Sequence, residues 1–202
     1  MPFAPDLARR RVVVAQLGNG ASMCAMHGGR SVATTMGFST LDGLTMGTRC
    51  GRLDAGVLLH LMSHHGLDAT ALATLLYDQS RLLGLSRLSA DMRTLLGSTL
   101  AQAELAVAHF VEAAARELAG MASALRGIDA LVFTGDIGEH AAPVRARLVQ
   151  ASAWMGLALD EAANAAGARV INAPAGAVQI RVLRTDEEAV IARHAARIAA
   201  SC

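Results

Sequence analysis

Lysine is missing from this chain of 202 residues, so all 18 basic residues are arginines. That absence excludes a Walker-type phosphate loop, Schiff-base chemistry and a lysine general base. Aromatics are scarce as well. One Trp, one Tyr and four Phe do not supply a surface on which nucleic-acid bases stack, and no nucleic-acid partner is expected. No apolar run approaches the ~20 residues of a membrane span. Residues 1–15 place an Arg cluster ahead of a short strand-like run and lack the order of a signal peptide, so the expected location is the cytoplasm, with no membrane partner. Cys24, Cys50 and Cys202 are an odd, scattered set without CxxC spacing, which fits reduced thiols. The seven His show no metal-ligand spacing. His60, His64 and His65 come nearest, without a carboxylate or thiol beside them, and read as a partly exposed helix end.

What is present describes a core-rich globular chain: 53% hydrophobic, 17% charged, net charge +1. Such a composition excludes disorder, and a chain this long buries roughly 70% of its unfolded surface. Residues 11–15, RVVVA, form a β-rich run that ends at QLGNGAS, a Gly/Asn turn; ASMCAM, HGGR and SVATTM then read as a hairpin. Residues 37–53 are too rich in Gly and Thr for regular structure, and loops of that length are usually functional. Asp54 caps a predicted helix with Val57, Leu58, Leu61 and Met62 on one face, and Asp68 caps a second through Leu75 and Leu76. Residues 98–126 place Leu100, Val107, Val111, Leu118, Met121 and Leu125 at three- and four-residue steps, a long amphipathic helix. Residues 129–133 read as a buried strand, 134–138 as a glycine turn and 143–155 as a helix. Residues 169–172 and 178–183 read as short strands. A closing helix starts at Thr185, where Thr185 and Glu188 match a capping box. No linker or repeat divides the chain, which reads as one α/β domain.

Three segments carry chemistry. QLGNG at 16–20 and TGDIGE at 134–139 each follow a strand, so their backbone N–H groups are free to approach an anion. Each motif alone is weak, because hairpin entries and strand-to-helix turns commonly carry Gly. TMGTRCG at 45–51 presents Arg49 from a glycine-flanked loop, either as a solvated cation or as a fork for phosphate or carboxylate.

Taken together with LLGLSRLSADMR at 82–93 and TDEEAVIAR at 185–193, the segments QLGNGAS, TMGFSTLDGLTMGTRCG at 35–51 and TGDIGEH at 134–140 resemble, in order, the motifs of the acetate kinase family. The resemblance implies an RNase H-like, actin-like lobe of the sugar-kinase-like phosphotransferase superfamily, a mixed sheet with flanking helices. It covers the family's C-terminal half, so residues 1–202 are expected to be the C-terminal nucleotide-binding lobe with the N-terminal lobe absent. It also implies the reaction of ATP with acetate to give ADP and acetyl phosphate, aided by Mg²⁺. Carried over by residue, Gln16, Leu17, Gly18, Asn19 and Gly20 would line the ATP phosphates. Asp91, Met92 and Arg93 would meet adenine and ribose, with Asp136, Ile137, Gly138, Glu139 and His140. Arg49 resembles the transition-state arginine and Glu187 the Mg²⁺ ligand. A guanidinium neutralises charge spread over the equatorial oxygens without any lysine, and Mg²⁺ commonly takes one protein carboxylate plus phosphate oxygens. Glu187 also fits a first-turn helix acid.

Four residues depart from the family pattern. Gln16 replaces a His, Asp136 a Gly, Arg52 an acidic residue and Arg87 a Gly. Asp136 puts a carboxylate beside the expected nucleotide site and should weaken ATP binding, while Arg52 changes the field around Arg49. The alternatives are a non-catalytic nucleotide-binding or dimerisation module, and a kinase of propionate or butyrate. A homodimer is expected, and a separately encoded N-terminal half is a possible partner.

Overall fold

The computed structural model describes residues 5–185 and 187–199, with the backbone alone at Glu187. After a turn of 3-10 helix at Pro5–Leu7, the chain runs through β1 (Arg11–Leu17), β2 (Ala21–His27) and β3 (Arg30–Thr34), then α1 (Ala55–His65), α2 (Ala69–Asp78), α3 (Arg81–Ser86), α4 (Met92–Leu96) and α5 (Ala101–Ala124). It continues through β4 (Ala130–Thr134), α6 (Gly135–His140), α7 (Ala142–Ala151), α8 (Glu161–Ala165), β5 (Gln179–Val182) and α9 (Glu187–Ala199).

The five strands form one sheet in the order β3-β2-β1-β4-β5. The β-branched run of β1 takes its centre, antiparallel to β2 and parallel to β4, with Gln16 level with Thr134. β4 and β5 are also parallel. This is the mixed sheet with flanking helices that the resemblance implies. Alternation along β1 sends Val13, Ala15 and Leu17 into the main core, where Val107, Phe110, Ala114 and Leu118 of α5 meet them. The opposite face carries a smaller cluster of Leu7, Val12, Ala130 and Val132. Helices α3, α4 and α7 pack on α5.

Four sequence expectations change. Residues 134–138 are not an open turn: the chain enters α6 at Gly135, directly from β4. Residues 169–172 make only isolated bridges, Val170 with Arg181 and Asn172 with Leu159. The predicted helix 143–155 ends at Ala151 and tightens into a 3-10 turn at Ala153–Met155. Leu100 lies outside α5 as its N-cap and is 45% exposed. Asp54 does cap α1, accepting from the Gly56 N–H at 2.7 Å, yet no residue of α1 is buried. The helix stands outboard of the sheet, and its apolar side lines only a shallow groove of Leu53, Val57 and Leu61 against Leu75 and Leu76. The starts of α9 and the proposed box at Thr185 are separated by a residue outside the described ones.

Candidate functional site

Because β1 and β4 are parallel neighbours, the turns that follow them emerge side by side at one end of the sheet. Gly135 has φ 78°, and a Cβ there would stand 2.7 Å from the Leu17 carbonyl oxygen, so only glycine lets β4 swing into α6 beside the end of β1. The backbone of Gly18 faces the N–H of Asp136 across the same contact. The QLGNG and TGDIGEH segments, with Gly20 and Gly135 115 residues apart in sequence, are thus neighbours.

The loop after β3 reaches the same place. The Gly47 N–H donates to the Asn19 carbonyl at 2.9 Å, and the Arg49 guanidinium lies against Gly20, 3.4 Å from where a Cβ would stand. Arg49 also donates to the Thr40 carbonyl at 3.2 Å. The loop has no regular structure, and hydrogen bonds from the next segment hold it. Ser80 N–H donates to the Thr48 carbonyl, Leu83 N–H to that of Gly47, and Cys50 N–H to that of Leu76. The Thr48 hydroxyl donates to the Tyr77 carbonyl at 2.7 Å, and the Arg81 side chain donates to the carbonyls of Cys50 and Arg52. Arg52 directs its own charge to Glu117 of α5 at 2.8 Å.

Asp91 caps α4, accepting from the N–H and hydroxyl of Thr94 at 3.1 and 2.8 Å. Those bonds hold its carboxyl below the ordinary carboxylate pKa. Across a cavity of about 160 Å³, Asp91, Met92, Arg93 and Leu96 face Asp136, Ile137 and His140. Two of the five expected segments therefore share one cavity. Asp136 is exposed and is not among the residues of positive φ, so its backbone needs no glycine. Asp136 lines the cavity beside Asp91 and Arg93. Arg87, in contrast, ends α3 with φ 52°, a left-handed conformation that glycine adopts without strain.

Several expected site residues sit differently from a ligand-facing side chain. Leu17 and Met92 are 0% and 3% exposed and belong to the core, as does Ile137 at 7%. Only their backbone or edges are available to a ligand. Glu139 turns inward: its carboxylate accepts from the Gly135 N–H at 3.1 Å and from the N–H and hydroxyl of Thr185 at 3.0 and 3.2 Å. It ties the end of β4 to the approach of α9. Glu187 opens that helix, and its side chain lies outside the described residues. Among the described residues no cluster of three or more His, Cys, Asp or Glu forms a metal site, and no helix is long and apolar enough to cross a membrane.

Sequence reasoning missed Arg81 and its neighbour His109, which accepts from the Arg81 guanidinium at 3.3 Å and contacts the Thr45 hydroxyl at 3.1 Å. It also missed α3 and α4. The Asp91 cap was the available signal for α4.

Comparison with known proteins places the chain in a family. Residues 5–193 match the model of the acetokinase family. The chain is 51% identical over 192 residues to the acetate kinase of Methylocella silvestris, which covers 95% of this chain and 48% of that protein. It is 52% identical over 202 residues to the acetate kinase of Rhodopseudomonas palustris, covering 96% and 51%. Among solved structures, Porphyromonas gingivalis acetate kinase superposes with a TM-score of 0.88 at 34% identity, covering 96% of this chain and 50% of that one. A propionate kinase from Francisella tularensis superposes at 0.87 and 35% identity, covering 93% and 50%. The chain belongs to the acetokinase family. It spans about half the length of the curated relatives it matches.

Proposed function

We propose that residues 1–202 are the nucleotide-binding lobe of a carboxylate kinase that converts ATP and acetate to ADP and acetyl phosphate. The observation that carries this reading is the convergence of Gly18 to Gly20, Arg49 and the Asp136 turn at one end of the sheet. In this reading the backbone of 18–20 receives the phosphates, and the cavity between Asp91 to Arg93 and Asp136 to His140 receives adenine and ribose. Arg49 is the group for the developing charge of an in-line phosphoryl transfer, where a well-placed arginine contributes on the order of 10³–10⁵ in rate. It projects from a loop pinned on both sides, so little reorganisation is needed when charge develops. Glu187 would be the carboxylate that holds Mg²⁺, which would supply neutralising charge to the nucleotide's phosphates. Acetate is favoured by the relatives at 51% and 52% identity. Propionate is the second acid, because the propionate kinase superposes as well as the acetate kinase does.

Positioning the acid in line with the γ-phosphate supplies roughly 7–11 kcal/mol of the barrier in well-oriented cases, and the groups proposed here handle nucleotide and charge instead. The chain by itself is therefore expected to bind Mg-ADP while making little acyl phosphate. Calorimetry with Mg-ADP and hydroxamate trapping of acyl phosphate test the two halves of this statement. Absence of ADP binding sinks the nucleotide reading. Turnover near 1 s⁻¹ that is lost in Arg49→Ala sinks the division of labour, and activity that appears only with an added N-terminal half identifies a two-part enzyme. The exposed apolar side chains of α1, Leu59 at 68% and Met62 at 49%, support a homodimer. Sedimentation should then show a dimer at micromolar concentration that Leu59→Glu dissociates; a wild-type monomer rejects it.

A further inference from the structure

Arg145 on α7 is, among the described residues, the largest side chain wholly enclosed in the protein, at 1% exposure. No carboxylate among the described residues lies within ion-pairing reach of it. Every bond it makes is to a neutral acceptor: Nε donates to Asn164 Oδ1 at 2.8 Å and NH2 to the Asn164 carbonyl at 2.9 Å. NH1 donates to the carbonyls of Gly138 and Glu139 at 3.0 and 2.9 Å. A buried cation without a counter-charge is costly, and an apolar side chain of similar volume fills such a place at lower cost. Guanidinium is the cation that tolerates it best, being weakly hydrated and rigidly forked.

The two turn carbonyls explain what the cation does. Helix α6 has six residues and breaks at Ala141 before α7 begins. Its last carbonyls lack onward helical partners, and a positive charge at a helix C-terminus is favourable. We propose that Arg145 is a positioning residue: through the Gly138 and Glu139 carbonyls it holds residues 135–140 in the one conformation that presents Asp136, Ile137 and His140 to the 160 Å³ cavity. The inference rests on reading that cavity as part of the nucleotide site. The held peptide also aims the Glu139 carboxylate at Gly135 and Thr185, so one guanidinium fixes both the turn and the approach to Glu187.

Arg145→Met and Arg145→Lys separate this role from packing. Met fills the volume and donates nothing. Lys keeps a cation for the turn carbonyls and gives up the fork to Asn164. Backbone amide exchange is followed by mass spectrometry over 135–141, over β4 and over α8, with Mg-ADP calorimetry on the same 202-residue chains. In Arg145→Met the turn should exchange at least about tenfold faster, and ADP should bind about tenfold more weakly, while β4 keeps its protection. In Arg145→Lys the turn should stay within about threefold of wild type while α8 loses protection. If turn and β4 amides accelerate together in either variant, Arg145 is a packing residue and the proposal falls. Should Arg145→Met fail to fold, the contrast between turn and α8 in Arg145→Lys decides alone. If wild type binds no ADP, the nucleotide reading fails, whereas the exchange pattern still decides whether Arg145 holds the turn.

Discussion

The Asn19 carbonyl accepts the Gly47 N–H at 2.9 Å, and the Asn19 side-chain Oδ1 sits 1.8 Å from where a Cβ on residue 47 would stand. The loop that carries Arg49 thus comes up to the β1 turn with no room for a methyl group. Gly47→Ala must push the Asn19 amide aside, with Ala90 closing the space behind at 3.3 Å. The expected result is a folded protein with weaker Mg-ADP binding. Because the damage passes through Asn19, Gly47→Ala should cost little further in an Asn19→Ala background. A double-mutant cycle by calorimetry should return a coupling of roughly 0.5–3 kcal/mol; additive losses would show that the methyl group acts elsewhere.

Asp136 offers a gain instead of a loss. Its carboxylate lines the cavity with the Asp91 cap opposite, and its backbone has no need of glycine. Removing the charge in Asp136→Asn should tighten Mg-ADP binding about threefold to tenfold, the size of a water-screened charge interaction of ~1 kcal/mol. Asp136→Gly should do the same, less whatever the freed backbone costs in entropy. Unchanged affinity in both variants would remove the carboxylate from the nucleotide's surroundings.

Arg87 ends α3 at φ 52°, a conformation that costs an L-residue roughly 1–2 kcal/mol. Arg87→Gly relieves that strain in the folded state and loosens the unfolded chain, so a net gain of about 0.5–1 kcal/mol is expected. Urea denaturation with an unchanged slope would register it as a higher midpoint. A lower midpoint would mean that the Arg87 side chain contributes more than its backbone costs.

Acid should loosen the protein in two stages. Burial foremost, then the nearby charges of Arg81 and Arg116, hold His109 below its ordinary pKa of 6.5, with Glu112 opposing. The unfolded chain therefore binds more protons in the window below 6.5, and stability, complete above that pH, declines as the pH falls through it. The second stage lies lower. The Arg11 guanidinium holds the Asp129 carboxyl below the ordinary 3.8, so that contribution is present above 3.8 and is lost only as the pH falls beneath it. Unfolding by urea across pH 3–8 should show both slopes, and His109→Gln should flatten the upper one while leaving the lower. A wild-type curve flat between pH 7 and 5 would contradict the first stage.

Much of this architecture can be read from the residues because local chemistry and tertiary structure agree there. The β-branched run of β1 followed by Gly18, and the Asp54 and Asp68 caps, mark their elements with bonds made within a few residues. The same is true of the segments that identify the family. Helix α6 was illegible for the opposite reason. Its glycines favour a turn, and the partners that hold it, Arg145 and the Glu139 bond to Thr185, lie on other elements. An arginine within an amphipathic helix reads as a surface residue, and nothing in its spacing announces a buried fork. Helix α1 lies where its Asp54 cap marks it, but its spacing alone does not reveal that no residue of the helix is buried.

The level pairing of Gln16 with Thr134 sets where this chain tolerates a change in length. One residue inserted into β1 or β4 would carry its turn about 3.3 Å along the sheet and turn every following side chain of that strand to the other face. Deletions and insertions should therefore be purged from residues 11–20 and 130–140, yet pass readily at the exposed connection near Gly66 between α1 and α2, where a Cβ on Gly66 would meet nothing within 4 Å. A library of single-residue insertions, sorted for folded protein, would trace the two glycine turns as the rigid part of the molecule.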